Sequence, residues 1–274
     1  MTPSDANEGK PLALHVDGRR LEAAWWGPPP GVAPTLVLLH EGLGCVALWR
    51  DFPARLAAAT GCGVLAYSRL GYGGSDPCPL PRPLTYMHDE ALEVLPRVLE
   101  AARIRDAVVV GHSDGGSIAL VHAGGCDTPA LRGVVTFAAH VFCEELSVKS
   151  IDAARRAYEE GDLRARLARY HGTNVDCAFW GWNRAWLDPE FMHWNLEEYL
   201  PGIDVPVLAI QGRDDEYGTA AQVEAIVAGC GAEPLFLDDC GHSPQRDREH
   251  ATLEAVSRFV RRVLAGSADG ARTG

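Results

Sequence analysis

The segment from Val108 to Gly116 constrains the fold of this 274-residue chain more than any other. Its sequence is VVVGHSDGG, a continuous apolar run followed by a Gly-x-Ser-x-Gly turn and small residues. A continuous apolar run is typical of a strand that is buried on both faces of a sheet. Glycines on both sides of Ser113 allow a sharp turn that holds the serine hydroxyl clear of the sheet. The segment therefore predicts a strand, a tight turn and a helix, with Ser113 as a candidate nucleophile.

Further apolar runs predict additional strands of the same sheet, and helical patterns lie between them. These runs are Thr35–Leu39, Gly63–Ala66, Ala107–Val110, Gly133–Ala138 and Val205–Ile210, with a weaker one at Pro234–Leu237. Before them, Leu12–Val16 and Arg20–Trp26 alternate around Asp17-Gly18, which indicates a hairpin. The sequence thus predicts an α/β fold: a mostly parallel, doubly wound, twisted sheet with helices on both faces and an antiparallel start.

The region 140–200 breaks this alternation, because its sequence is helix-like and contains no convincing strand. Four of the seven tryptophans fall there: Trp180, Trp182, Trp186 and Trp194. An insertion of this length suits a helical cap over the carboxyl edge of the sheet, where α/β folds bind ligands. The aromatics serve equally well as the core of a small helical subdomain. We expect an α/β core at 1–139 and 201–265, a helical cap at 140–200, and a disordered tail at 266–274.

Charge and composition exclude several functional classes. The formal net charge of −12 argues against nucleic acid and anionic membranes as partners. No apolar run approaches the length needed to cross a bilayer, and the polar N-terminal segment does not resemble a signal peptide. The eight cysteines show no spacing typical of a metal site. We therefore expect a cytoplasmic protein with reduced thiols, no metal and no cofactor, acting on a small molecule; a homo-oligomer is compatible with the sequence.

A serine nucleophile needs a base and an acid that orients the base. His242 is the candidate base, because Gly241-His242-Ser243-Pro244 forms a tight loop after the last weak strand. Asp214 and Asp215 compete for the role of the acid, since both lie in the loop that follows the predicted strand Val205–Ile210. We favour Asp215, and expect Asp214 to form turn hydrogen bonds or an ion pair with Arg213.

An oxyanion needs donors that are already in place, and backbone amides meet that requirement. The turn His40-Glu41-Gly42-Leu43-Gly44 follows the first buried strand, so the amides of Gly42 and Leu43 are candidates. The amide of Asp114 is the third, at the positive end of the helix after the serine. We expect the Asp114 side chain to cap that helix, and His40 to make a structural hydrogen bond.

Together these segments resemble the α/β-hydrolase fold family over Leu12 to Leu264. The resemblance implies the chain order Ser113, Asp215, His242, and the family's usual Gly-x-x-Asp pattern selects Asp215. One departure is Glu41, which stands where the family has the glycine of a His-Gly pair and leaves the choice between Gly42 and Leu43 open. The segments that carry the resemblance are HEGLG at 40–44, residues 63–75, GHSDGG at 111–116, GRDD at 212–215 and GHSP at 241–244.

The resemblance implies hydrolysis of a small to medium carboxylic ester or lactone through an acyl-enzyme, with apolar contacts to the four cap tryptophans. The first alternative is cleavage of a carbon–carbon bond in a vinylogous keto acid. That substrate carries carboxylates and needs cationic side chains at the pocket, for which Arg69 and Arg184 are candidates. Thioester cleavage is a further alternative. From a different class, the chain could be a ligand receptor of the same fold with negligible turnover.

Overall fold

An eight-stranded sheet forms the centre of the computed structural model, which describes residues 9–266 in full and residues 267–270 for the backbone alone. The order across the sheet is β1-β2-β4-β3-β5-β6-β7-β8. β1 and β2 form an antiparallel hairpin, β2 pairs antiparallel with β4, and the other neighbouring strands are parallel. The predicted α/β sheet with an antiparallel start is confirmed. The strands are Lys10–Val16 (β1), Arg19–Trp26 (β2), Thr35–Leu39 (β3), Gly63–Tyr67 (β4), Ala107–His112 (β5), Leu131–Phe137 (β6), Val207–Gly212 (β7) and Glu233–Leu237 (β8).

Helices cover both faces of the sheet. They are Phe52–Thr60 (α1), Tyr86–Asp89 (α2), Leu95–Ala101 (α3), Asp114–Gly125 (α4), Glu145–Glu159 (α5), Leu163–His171 (α6), Val175–Trp186 (α7), Ala220–Cys230 (α8), Pro244–Asp247 (α9) and Glu249–Gly270 (α10). Short 3-10 helices lie at Val46–Trp49, Gly172–Asn174, Pro189–His193 and Glu197–Gly202. Within the described part of the chain, no helix combines the length and the apolar character needed to cross a membrane.

The central strands are buried because their alternate side chains enter two different cores. On β3, Leu36 and Leu38 pack in one cluster with residues of α1 and α10. Val37 and Leu39 belong to a second cluster, which includes residues of α3, α4 and α7. Both faces of the strand therefore need apolar residues, which explains its continuous apolar sequence.

The apolar pattern from Met87 to Ala102 predicts one helix that Pro96 kinks or shortens. The structure instead contains α2, a π-helical turn at Glu90–Val94, and α3 with Pro96 in its first turn. Proline has no backbone N–H and its ring displaces the carbonyl four residues earlier, so the preceding turn widens. The effect of Pro96 agrees with the prediction, and it takes the form of a π-helical turn.

The segment between β6 and β7 contains α5, α6, α7 and three of the 3-10 helices, but no strand among its described residues. Its helices contribute Ile151 and Phe179 to the same apolar cluster as Leu39 of the sheet. Whether this segment is a separate cap stays a prediction. At the C-terminus, α10 continues to Gly270. The composition predicts disorder from residue 266, but no proline interrupts the helix between residues 266 and 270. Residues 1–8 and 271–274 lie outside the described residues.

Candidate active site

Ser113 lies in a tight turn between β5 and α4, with φ 51° and ψ −118°. Residues other than glycine rarely adopt this backbone conformation, and it persists only where the surrounding structure enforces it. A Cβ atom on Gly111 would lie 2.1 Å from the carbonyl oxygen of Gly115. A Cβ on Gly115 would lie 2.1 Å from the carbonyl oxygen of Leu39. Only glycine fits at either position, which is the structural reason for the Gly-x-Ser-x-Gly sequence.

A continuous chain of hydrogen bonds connects the three residues that the sequence selects. The Ser113 hydroxyl donates to His242 Nε2 at 2.9 Å. His242 Nδ1 donates to Asp215 Oδ1 at 2.8 Å. Ser113 lies in the turn after β5, Asp215 in the loop after β7 and His242 in the loop between β8 and α9. Because these strands are parallel, their carboxyl ends lie at the same edge of the sheet, which brings the three residues together. The arrangement allows His242 to take a proton from Ser113 while Asp215 holds the imidazole.

Asp215 is buried, and its carboxylate is held by several donors. Oδ1 also accepts from the amides of Tyr217 at 2.8 Å and Gly218 at 3.3 Å, and Oδ2 accepts from Gln211 Nε2 at 3.2 Å. Burial alone would raise the pKa of Asp215, but the hydrogen bonds from His242 and Tyr217 outweigh it, and the pKa lies below its ordinary value. The carboxylate therefore stays ionised opposite His242.

Asp214 points away from this chain of hydrogen bonds. Its side chain is exposed, and its amide bonds to the carbonyl of Cys240. The expected ion pair between Asp214 and Arg213 is absent; Arg213 instead binds Asp238 at 2.8 Å. Of the two competing aspartates, the structure places only Asp215 against His242.

Two of the candidate oxyanion donors line the cavity that Ser113 also lines, and the third follows Ser113 in the chain. Gly42 and Leu43 line the cavity in front of Ser113. A Cβ on Gly42 would lie 2.2 Å from Trp182 Nε1, so glycine is needed for the close approach of that indole. Asp114 is the first residue of α4, where backbone N–H groups have no acceptor within the helix.

The Asp114 side chain does not cap the helix, contrary to expectation. Because Ser113 occupies the N-cap position, Asp114 lies one residue inside the helix and its carboxylate turns towards the buried core. Its Oδ2 accepts a hydrogen bond from Tyr86 Oη at 2.6 Å and lies 3.7 Å from Arg69 Nη2. The carboxylate thus belongs to a buried polar cluster behind the serine.

A cavity of about 150 Å³ opens in front of Ser113. Trp182 and Trp186, four residues apart on one face of α7, form part of its wall. The structure does not bring Trp180 or Trp194 to this cavity. Trp180 faces away on α7 with the Arg184 guanidinium 5.0 Å from its ring, and Trp194 stacks on Phe191 at 5.2 Å. The lining residues are Glu41, Gly42, Leu43, His112, Ser113, His140, Ile151, Trp182, Trp186, Tyr217, His242 and Ser243.

Neither arginine suggested for an anionic substrate lines this cavity. Arg69 is buried, and its Nη1 donates to the carbonyl of His40 at 2.6 Å. Arg184 is exposed on the far side of α7. Among the twelve lining residues, Glu41 is the only Asp, Glu, Lys or Arg. Burial opposes its ionisation, yet interaction with His112 holds the pKa of Glu41 well below its ordinary value.

His140 and Tyr217 line the cavity but were not selected from the sequence. His140 is buried, its ring centroid lies 5.7 Å from that of His242, and its Nδ1 has no hydrogen-bond partner in the structure. Burial and the neighbouring His242 lower the pKa of His140 to about 3, so its ring is neutral at physiological pH. Their positions in the sequence could have indicated them: His140 closely follows the end of β6, and Tyr217 follows Asp215 by two residues.

The other histidines near the serine have structural partners. His112 Nε2 donates to the carbonyl of His242 at 2.7 Å. His40 makes the expected structural bonds, donating from Nδ1 to the Glu41 carbonyl at 2.7 Å and accepting from the Arg69 amide at 3.1 Å. Within residues 9–266, no group of three or more His, Cys, Asp or Glu side chains is arranged to hold a metal ion.

The fold described above occurs in other known proteins. The sequence model of the alpha/beta hydrolase family matches residues 36–255. The comparison with curated proteins gave no match. The structure is similar to the enol-lactonase from Burkholderia xenovorans LB400, with 22% identity, 91% of this chain and 100% of that chain covered, and a TM-score of 0.70. It is also similar to an esterase from Rhodococcus sp. ECU1013, with 20% identity, 92% of this chain and 98% of that chain covered, and a TM-score of 0.69. A third similar structure is the proline iminopeptidase of Mycobacterium smegmatis, with 18% identity, 93% of this chain and 99% of that chain covered, and a TM-score of 0.71. Identities this low show a shared fold.

Proposed function

The chain belongs to the alpha/beta hydrolase family, and we propose that it is a serine hydrolase that cleaves a small to medium carboxylic ester or lactone through an acyl-enzyme on Ser113. The observation that carries the proposal is the chain of hydrogen bonds from Ser113 through His242 to Asp215, which opens directly into a cavity. An enol-lactonase and an esterase among the similar structures support the same reaction class.

In the acylation step, Ser113 Oγ attacks the substrate carbonyl while His242 Nε2 takes the hydroxyl proton. Asp215 holds His242 Nδ1–H, which fixes the tautomer and stabilises the imidazolium that forms. His242 then gives its proton to the departing alcohol or ring oxygen. A water molecule, activated by His242 in the same way, releases the acid product from Ser113.

The negative charge that develops on the carbonyl oxygen requires donors already aimed at it. We assign this role to the amide of Asp114 together with that of Gly42 or Leu43. Asp114 contributes the first N–H of α4, where the helix dipole adds to the stabilisation. Losing one donor of this type raises the barrier by about 3–4 kcal/mol.

The size of the cavity limits the acyl group. A cavity of about 150 Å³ is large enough for a group the size of a benzene ring. Trp182, Trp186 and Ile151 give it apolar walls, while Glu41 adds a carboxylate near the carbonyl position. We therefore expect uncharged acyl groups of roughly six carbons or fewer to be preferred.

The test is turnover of a p-nitrophenyl ester series from acetate to decanoate by the native protein and by Ser113→Ala. The expected result is hydrolysis with an optimum at short chains and loss of activity in the variant. A trapped acyl group on Ser113, detected by mass spectrometry of the intact protein, would support the covalent step. Unchanged turnover in Ser113→Ala would refute the assignment, and no turnover of any ester would favour the ligand-receptor alternative.

Carbon–carbon cleavage of a vinylogous keto acid is less well supported by this cavity. That reaction needs cationic side chains to hold the substrate carboxylates, and the described cavity wall contains no lysine or arginine. Its single charged carboxylate, Glu41, would repel such a substrate.

Thioester cleavage is the second candidate, and one feature favours it. A cleft of about 370 Å³ adjoins the cavity and shares Glu41 and Leu43 with it. Four arginines line this cleft, in a protein with a net charge of −12. The cleft suits an anionic leaving group, so thioesters with anionic and neutral thiol parts should be compared: a lower KM for the anionic one, lost in high salt, supports this candidate. The arginines are Arg50, Arg166, Arg169 and Arg246.

A further inference from the structure

Two cysteines that are far apart in the sequence meet where the loop after β4 contacts the first turn of α7. Cys78 lies in the loop between β4 and α2, and Cys177 lies in the first turn of α7. Their Sγ atoms are 3.2 Å apart, and Cys177 Sγ also lies 3.4 Å from the Cys78 carbonyl oxygen. Both side chains are half-buried free thiols, so a small reagent can reach them.

Gly71, which has no side chain, leaves room for the sulfur atoms of Cys78 and Cys177. A Cβ on Gly71 would lie 2.7 Å from both Sγ atoms, and Gly71 has a φ of 81°. Any side chain there would therefore displace the pair. Gly71 belongs to the glycine-rich stretch after β4, whose sequence LGYGGS the proposed catalytic mechanism does not use.

Charge and hydrogen bonding make one of the two sulfurs the better nucleophile. The hydrogen bond from the Cys78 thiol lowers the pKa of Cys177, although partial burial acts in the opposite direction. The guanidinium of Arg82 lies beside the pair, with Nε 3.4 Å from Cys78 Sγ, and its positive charge also lowers the pKa of Cys177. The thiolate is the reactive form of cysteine, so Cys177 is the expected site of first attack.

We propose that Cys78 and Cys177 form a redox-active dithiol that a small disulfide, such as oxidised glutathione, converts to an intramolecular disulfide. The Cys177 thiolate attacks one sulfur of the oxidant, forming a mixed disulfide and releasing one thiolate. Cys78 then loses its proton to that thiolate or to solvent and attacks Cys177 Sγ, releasing the second thiol. Two electrons pass from the protein to the oxidant, and one protein disulfide and two small thiols result.

The new bond would connect the sheet to the wall of the cavity. Cys177 lies on α7, which also carries Trp182 and Trp186, and Cys78 lies in a loop that follows a central strand. The bond therefore joins two parts of the chain that are 99 residues apart. Closing so long a loop removes much conformational freedom from the unfolded chain, which stabilises the folded protein.

The first experiment uses mass spectrometry of the folded protein after treatment with oxidised glutathione and alkylation. The native protein should lose the mass of two hydrogens and give a linked peptide containing Cys78 and Cys177. Cys78→Ser should accumulate glutathione on Cys177, because the second step cannot occur. Cys177→Ser should give no linked peptide and should take up glutathione more slowly than Cys78→Ser. Cys230→Ser is the matched control; that half-buried cysteine lies on α8, and its oxidation pattern should equal that of the native protein.

The second experiment compares unfolding midpoints. Oxidised native protein should unfold about 10 °C above the reduced protein, and Cys78→Ser should show no such rise. Linked peptides from other cysteines, lasting glutathione on Cys177 of the native protein, or complete lack of reaction would each overturn the proposal. So would an oxidised protein that unfolds at or below the midpoint of the reduced one. None of these measurements depends on hydrolase activity.

Discussion

Replacing Glu90 by glutamine should remove a pH dependence that this buried carboxyl imposes on stability. Glu90 lies in the π-helical turn before α3, and its Oε2 is buried without a hydrogen-bond partner. Burial raises the pKa of Glu90 from its ordinary value of 4.5 to about 7, although two nearby guanidinium groups oppose the shift. The titratable groups that interact with it are Arg69 and Arg82, which favour its ionisation, and Cys78 and Asp89, which oppose its ionisation.

The sign and size of the pH effect on stability follow from the raised pKa of Glu90. A carboxyl whose pKa is higher in the folded state contributes stability that is complete below pH 4.5 and is lost as the pH rises through about 7. The whole contribution is about 3 kcal/mol, at 1.36 kcal/mol for each pH unit of the shift. Between pH 6.0 and pH 8.5 the part that is lost is about 1.4 kcal/mol, or a factor of ten in the unfolding equilibrium.

The assay is urea unfolding of the native protein and of Glu90→Gln at these two pH values, followed by circular dichroism. The difference in unfolding free energy between native and variant should change by about 1.4 kcal/mol in favour of the variant at the higher pH. The control is Glu93→Gln, one turn along on the exposed surface, whose difference from the native protein should not depend on pH. A constant difference for Glu90→Gln would refute the argument that burial holds this carboxyl neutral.

Three further predictions concern the proposed reaction. Asp215→Asn should keep the fold but lower kcat about 10⁴-fold, because the imidazole loses its orienting carboxylate; ester kinetics check this, and a loss below tenfold would contradict the proposed role. Trp182→Ala should move the preferred acyl chain in the ester series to longer esters, whereas Trp180→Ala, outside the cavity, should leave the preference unchanged. Gly42→Ala should lower kcat/KM about 100-fold, since the added Cβ would lie 2.2 Å from Trp182 Nε1. Combining it with Trp182→Ala should restore part of that loss if the clash is the cause.

The sheet and the nucleophile turn could be predicted because their signals are local. A strand buried on both faces needs a continuous apolar run, as Thr35–Leu39 shows, and the turn at Ser113 needs glycine at Gly111 and Gly115 to avoid backbone contacts. Asp215 was favoured over Asp214 from the sequence, and the Gly-x-x-Asp pattern of the family resemblance supported that choice. In the structure this choice rests on which carboxylate turns towards His242.

The cavity wall could be predicted only in part. Trp180, Trp182 and Trp186 all lie on α7, where residues four apart share a face and residues two apart do not. Helical spacing alone would have separated Trp180 from the other two. Trp194 lies beyond the helix, and its stacking on Phe191 depends on how the irregular segment folds back. The meeting of Cys78 and Cys177 likewise depends on packing between distant segments.

The hydrogen bond from His112 Nε2 to the carbonyl of His242 has a consequence for how this protein can vary. It ties the loop that carries the base to the turn that carries Ser113, although the two lie 130 residues apart in the chain. The spacing between Ser113 and His242 is therefore set at the edge of the sheet, whereas Trp182 and Trp186 on α7 form part of the cavity wall. Reactivity and substrate choice can thus vary separately under the proposed mechanism: we expect that α7 can be exchanged or redesigned while the proposed proton relay keeps its geometry.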